Sequence, residues 1–153
     1  MRYEYIEPFV LSTMKVLDTV IQSDISMGRV SLVRGNEIDG DLAILIRLGG
    51  YSDGCIILNM ETETAMKICN VMLDGSFETL MPVGMDSIAE LANMIAGNAI
   101  SVINDLGYDF RVDPPLIVTK DDIKKKTPDM EVFQIPLFTE FGEIIMNIAL
   151  RTN

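Results

Sequence analysis

A chain of 153 residues that is 48% hydrophobic can bury a core without staples, and one domain over 1–153 is the expectation. A net charge of −11 argues against nucleic acid or an anionic membrane as partner, and no stretch approaches 18 apolar residues. With no histidine and two cysteines, Ser-His-Asp and Cys-His catalysis, His-ligated metals and a disulfide framework are excluded together.

The N-terminus carries Glu4 and Glu7 and no basic region, so a signal peptide is not expected and a cytoplasmic protein is the simplest reading. Residues 5–22 read as an amphipathic helix with Ile6, Val10, Thr13, Leu17 and Val20 on one face and Pro8 in its first turn. Three β-rich segments follow: 29–34, 41–48 and 53–60. Gly35-Asn36, Asp39-Gly40 and Gly49-Gly50 signal turns between them. The segment 41–48 is almost wholly apolar, which suits a central strand covered on both faces.

A shorter helix over 61–73 turns Ala65, Ile68, Cys69 and Met72 inward and stops at Asp74-Gly75. A long helix over 86–105 comes next, with Asp86 as its cap and Leu106-Gly107 as its end. Three more β segments, 109–119, 130–139 and 143–151, close the chain. Lys124-Lys125-Lys126 read as a solvated hairpin loop. Pro114, Pro115 and Pro136 predict strand ends, edges or bulges. Cys55 and Cys69 fall at apolar positions and read as buried thiols, and Met66, Met72, Met94 and Met146 as core gap-fillers.

Helix and three strands, a linking helix, then helix and three strands suggest a duplicated unit. Short turns between consecutive strands predict antiparallel pairing. The fold class is therefore α+β, with two long helices on one face of a mostly antiparallel sheet.

The helix 86–105 is the most informative element. Ile88, Ala92, Ile95, Ala99 and Val102 make an ordinary buried face. Asp86, Glu90, Asn93, Gly97, Ser101 and Asn104 fall at steps of three and four and form a second stripe. A solvated stripe usually carries Lys, Arg and Glu for helix propensity, yet this one has no basic residue. Gly97 in mid-helix costs about 1 kcal/mol relative to Ala, so the close approach of another backbone is expected there.

Glu90 and Asn93 project from one turn. A carboxylate anchors a cation or acts as a base. An amide offers fixed donors and an acceptor and never titrates. An Asn-centred site therefore suits positioning of a nucleophile, as phosphoryl transfer requires. A merely wet helix face is the plain alternative.

The run Asp86-x-x-x-Glu90-x-x-Asn93 followed by Gly97-Asn98 resembles the signature helix of the CheC/CheX/FliY family of chemotaxis phosphatases. The stretches YIEPFVLSTMKVL and AELANMIAGNA are similar to its CheX branch in particular. The resemblance implies a CheC-like domain that hydrolyses the aspartyl phosphate of a CheY-type response regulator. It implies that Asn93 orients the attacking water, that Glu90 pairs with the regulator's lysine, and that Asp86 and Gly97 border the partner. The Mg²⁺ would belong to the regulator, with no cofactor on this chain. Other members carry a second Glu-x-x-Asn on the first helix; here Glu4 is followed by Glu7 and Glu7 by Val10, leaving one active surface. The resemblance also implies a homodimer joined through sheet edges, for which EIIMNIAL offers an apolar strand. A binding module of the same fold, docking without catalysis on a signalling or flagellar-motor protein, is the alternative.

Overall fold

The computed structural model describes residues 3–38, 41–79, 82–127 and 130–150, so the turn expected at Asp39-Gly40 lies outside the described residues. Four α-helices, α1 (Tyr3–Ile21), α2 (Thr62–Leu73), α3 (Pro82–Asp105) and α4 (Lys120–Lys126), and a 3-10 turn at Gly35–Glu37 accompany eight strands among these residues. The strands are β1 (Ser26–Met27), β2 (Ser31–Arg34), β3 (Leu42–Gly50), β4 (Gly54–Met60), β5 (Phe110–Val112), β6 (Leu116–Val118), β7 (Glu131–Thr139) and β8 (Gly142–Leu150). They form one antiparallel sheet in the order β1-β7-β8-β4-β3-β5, with β2 also on β7 and β6 also on β3.

The two hairpins expected from sequence, β3–β4 and β7–β8, are present, and the strands at their centre pair with each other, Ile57 opposite Asn147. The first strand of each half does something the sequence reading did not anticipate. β2 crosses to β7, in the second half, and β5 and β6 cross to β3, in the first. Alternating patterns fix which face of a strand is buried but not which neighbour it takes, so the exchange between halves left no local signal. The exchange also puts β8 between β7 and β4. EIIMNIAL is thus an interior strand and offers no edge to a second copy.

Even-numbered residues of β3 and β4, among them Ile44, Ile46, Ile56 and Leu58, face the helices. There they meet Ile6, Phe9 and Leu17 of α1 and Ile88, Ala92 and Ile95 of α3 in the main core. Odd-numbered residues face the other way. Ala43, Leu45, Cys55 and Ile57 form a second, smaller core with Ile38, Val132, Ala149 and Ile123 of α4. This second layer is why 41–48 reads as apolar on both faces.

Residues 120–126 are therefore helical, not a hairpin loop. Thr119 caps the helix, its Oγ1 accepting from the Asp122 amide at 3.2 Å while Asp122 Oδ2 accepts from the Thr119 amide at 3.1 Å. Thr119-x-x-Asp122 was a legible capping signal. The helix ends at buried Thr127, whose hydroxyl donates to the Ile123 carbonyl at 2.7 Å. A Cβ at Gly35 would sit on the Thr127 carbonyl oxygen, so this close approach requires glycine.

The segment 109–119 is likewise two short strands, interrupted at Pro114-Pro115, where no amide is available for the ladder. The residues of β3 include Gly49 and Gly50, and the turn falls after them. α1 begins earlier than predicted, so Pro8 lies inside it rather than in its first turn. The proline forfeits one i→i−4 bond near the N-terminal end, where the burial of Ile6, Phe9 and Val10 holds the helix together. Asp74, not Gly75, takes the left-handed conformation that ends α2 (φ 49°).

Candidate functional site

α3 runs 24 residues, longer at its start than the sequence suggested. Pro82 opens it, a favoured first position because the missing N–H would be unpaired there anyway. Asp86 consequently lies inside the helix and is not its cap. At the far end Gly107 (φ 103°) turns the chain, and its amide bonds the Asn104 carbonyl at 3.0 Å.

The buried face of α3 is Ile88, Leu91, Ala92, Ile95, Ala96, Ala99 and Ile103. Val102, expected in this set, is 41% exposed, because the helix axis carries that position out beside α1. Asp86, Glu90, Asn93, Gly97 and Ser101 are all exposed, as one stripe. Asn104 is not part of it in any working sense. Its side chain clamps Phe110, with Nδ2 donating to the Phe110 carbonyl at 2.9 Å and Oδ1 accepting from its amide at 2.8 Å. That pins the start of β5 under the end of α3, beside an edge-on ring pair of Phe9 and Phe110.

The asparagines divide into those the fold uses and two on α3, exposed Asn93 and half-buried Asn98, that bond nothing among the described residues. Asn70 clamps Phe77 through both amide atoms, at 3.0 and 2.8 Å. Asn104 clamps Phe110, and buried Asn147 joins Gln134 to Asn59 across three strands. Each of these amides is consumed by the fold. Asn93 and Glu90 make no hydrogen bond or ion pair among the described residues, and both stand in solvent. Helical spacing puts their Cβ atoms about 5–6 Å apart. An acceptor-donor amide and a carboxylate on a rigid, packed helix, uncommitted to the fold, are suited to meeting groups on another molecule.

Gly97 strengthens this. None of the described residues lies within 4 Å of where its Cβ would stand, so none of them uses the missing side chain. The backbone approach expected there is not internal. Two further residues of the stripe escaped the sequence reading. Met94, taken for a core residue, is 41% exposed, and Val83 is 57% exposed. They lie one to two turns either side of Glu90, in helical phase with it, so the phase of 83, 90, 94 and 101 was the available signal.

Met66 and Met72 are half-buried and Met146 is fully buried. Cys55 and Cys69 are both buried, and burial pushes the Cys69 thiol up from its ordinary pKa. Among the described residues no group of three or more His, Cys, Asp or Glu could hold a metal ion. No described helix is long and apolar enough to cross a membrane.

Solved structures place this architecture in the CheC-like class. A CheC-like superfamily protein from Shewanella sp. PV-4 superimposes with a TM-score of 0.85 at 26% identity, over 99% of this chain and 100% of that one. The structure of a CheX–CheY–BeF₃–Mg²⁺ complex from Borrelia burgdorferi gives a TM-score of 0.84 at 26% identity, over 99% and 100% of the two chains. The CheY-P phosphatase CheX of Thermotoga maritima is 29% identical over 117 residues, 76% of each chain. The family of the chemotaxis phosphatase CheX matches residues 42–138, which include the whole of the stripe. The chain belongs to that family.

Proposed function

We propose that this protein hydrolyses the aspartyl phosphate of a CheY-type response regulator, with Asn93 and Glu90 as the working pair. The observation that carries the reading is their joint exposure, without a partner among the described residues, on the packed helix that the family match includes. The Asn93 amide oxygen accepts a hydrogen bond from a water and aligns its lone pair with the phosphorus. Water attacks in line, the acyl–phosphate bond breaks, and inorganic phosphate and the regulator's carboxylate are released. Glu90 meets a lysine ammonium of the regulator in a charge-assisted contact that fixes the register of the two proteins. The regulator's own Mg²⁺, when bound there, would supply neutralisation of the developing charge. The complex of the Borrelia relative with CheY, BeF₃ and Mg²⁺ supports this division of labour. Asp86 and Gly97 border the contact, and Gly97 admits the partner's backbone.

A homodimer belongs to the same reading, joined at a sheet edge other than the one read from sequence. Among the described residues β6 pairs with β3 alone, and Leu116 and Ile117, exposed on its two faces, give it an apolar edge open to strand addition.

The test is the decay of phosphorylated regulator in Mg²⁺, with and without catalytic amounts of this protein. Accelerated decay that disappears in folded Asn93→Ala supports the assignment. Tight binding with unchanged decay would move the protein to the adaptor class.

A further inference from the structure

The face of the sheet turned away from α1 and α3 carries a cavity of about 520 Å³ that the phosphatase reading does not use. Its apolar floor is the margin of the outer core, at Leu45, Cys55 and Met130. Register sets its walls. Arg47 and Gly49 follow Leu45 on the outward side of β3. Arg111 of β5 stands opposite Gly49, and the Asp113 amide bonds the Arg47 carbonyl at 3.0 Å, which brings Asp113 opposite Arg47. Asp53, one residue before the Gly54–Leu48 pair, closes the third side. Arg47 and Arg111 are thus diagonal neighbours across the ladder, about 7–8 Å apart, and both flank the bare backbone of Gly49.

Two observations set this cavity apart from a solvated patch. All four charged side chains are exposed, and none makes a hydrogen bond or ion pair among the described residues, although two of each sign share one rim. Gly49 is the other. Unlike Gly50 (φ 85°), it lies outside the left-handed region, so the backbone does not require glycine there. None of the described residues lies within 4 Å of where its Cβ would stand. Glycine within a ladder weakens the strand, and it marks places where a ligand comes close to the backbone.

We propose that this cavity binds a small zwitterion of the α-amino acid class over Gly49, with its carboxylate on Arg47 and Arg111 and its ammonium on Asp53. The volume falls within the range of small-molecule sites, about 300–1,000 Å³. Two guanidinium forks on diagonal positions suit one carboxylate, which accepts a pair of N–H groups from each side. The charge of the lining selects among anions. Two arginines are balanced by two aspartates, so a phosphate dianion would meet repulsion as well as attraction. A molecule carrying both signs finds a partner for each. Leu45, Cys55 and Met130 then take its aliphatic side chain. Exposed charge pairs are weak one at a time, so the site depends on several acting on one ligand. It lies across the sheet from Glu90 and Asn93 and is independent of what they do.

The experiment is an amide chemical-shift titration of the ¹⁵N-labelled protein. The probes are L-leucine, isovalerate as its carboxylate alone, isoamylamine as its amine alone, and inorganic phosphate. L-leucine should give saturable shifts at Gly49, Gly54 and Arg111, and the two half-ligands should bind about tenfold or more weakly. Arg47→Gln combined with Arg111→Gln, both at exposed positions, should raise the L-leucine Kd about tenfold or more. Gly49→Leu keeps every charge and fills the space, so it should abolish the titration in a protein that circular dichroism shows to be folded. Absence of a saturable shift in the parent up to about 50 mM L-leucine overturns the proposal. Binding that persists unchanged in the folded variants also overturns it. Tighter binding of isovalerate or phosphate than of L-leucine rejects the zwitterion and leaves a plain anion site.

Discussion

The two long helices do the same structural work and differ almost wholly in the face they leave free. α1 buries Ile6, Phe9, Leu17 and Ile21 on the sheet; α3 buries Ile88, Ala92, Ile95 and Ile103 on the same layer. The outer face of α1 shows Leu11 where α3 shows Glu90. Burial of one stripe decides whether a helix of this length is stable, so the opposite stripe is open to other demands. The difference locates function on the face that folding does not need. It also separates two kinds of polar residue: amides such as Asn104 and Asn147, which hold strands, and Asn93, which bonds none of the described residues.

Breaking that contrast at its centre should have the largest effect. Asn93→Ala should lower the catalysed rate of regulator dephosphorylation by about 100-fold or more with little change in melting temperature, since positioning of a nucleophile is worth at least that much. Asn104→Ala, the same chemical change a few turns on, should do the opposite. It leaves both polar atoms of the Phe110 backbone without their partner and should cost about 1–3 kcal/mol in a denaturant melt, with kcat of the folded fraction intact. Equal effects in the two variants would erase the distinction.

Next in size is the buried face itself. Ile95→Ala removes a wholly buried side chain and should cost about 2–5 kcal/mol, read as a lower urea midpoint. Two glycines then give opposite signs. Gly35→Ala should destabilise by about 1–3 kcal/mol because the new Cβ meets the backbone of Thr127. Gly97→Ala should stabilise by about 0.5–1 kcal/mol, since its Cβ points into open space in a helix interior. The same substitution should weaken binding of the beryllofluoride-loaded regulator, so that the melt and the titration move in opposite directions. A gain in both would remove Gly97 from the interface.

The smallest effect is a matter of pH. Burial raises the Cys69 thiol pKa, so the folded state holds its proton to higher pH than the unfolded chain does. Stability should therefore fall as pH climbs through and beyond the ordinary thiol range, and Cys69→Ala should flatten that slope in melts at pH 8 and 10.

What could be read from the sequence follows the range of each signal. The face of α3, its uncommitted pair and the hairpins β3–β4 and β7–β8 rest on spacings of two to four residues, and these were legible. The crossing of β2 to β7 and of β6 to β3 joins positions about a hundred and about seventy residues apart, and no local period encodes it. Met94 was misplaced because it shares the exposed phase of Glu90, and Val102 because it keeps the phase of the buried face but lies near the end of the helix, beside α1. α4 was missed for a different reason. Its lysines looked solvated, and its apolar contribution to the outer core is Ile123.

The three amides on the outer side of the sheet have a consequence for how the chain finds its registry. Gln134 Nε2 donates to Asn147 Oδ1 at 3.0 Å, and Asn147 Nδ2 donates onward to Asn59 Oδ1 at 2.6 Å and to the Ile57 carbonyl at 3.0 Å. A slip of β8 by one residue would turn Asn147 into the helix-side oil and Ile148 out of it, with every link of the relay broken at once. Two hairpins translated far apart can zip together by hydrophobic pressure in several offsets, but in one alone does the relay close. It works as a checksum on the seam between the halves, and it spends on error detection the kind of side chain that α3 reserves for chemistry.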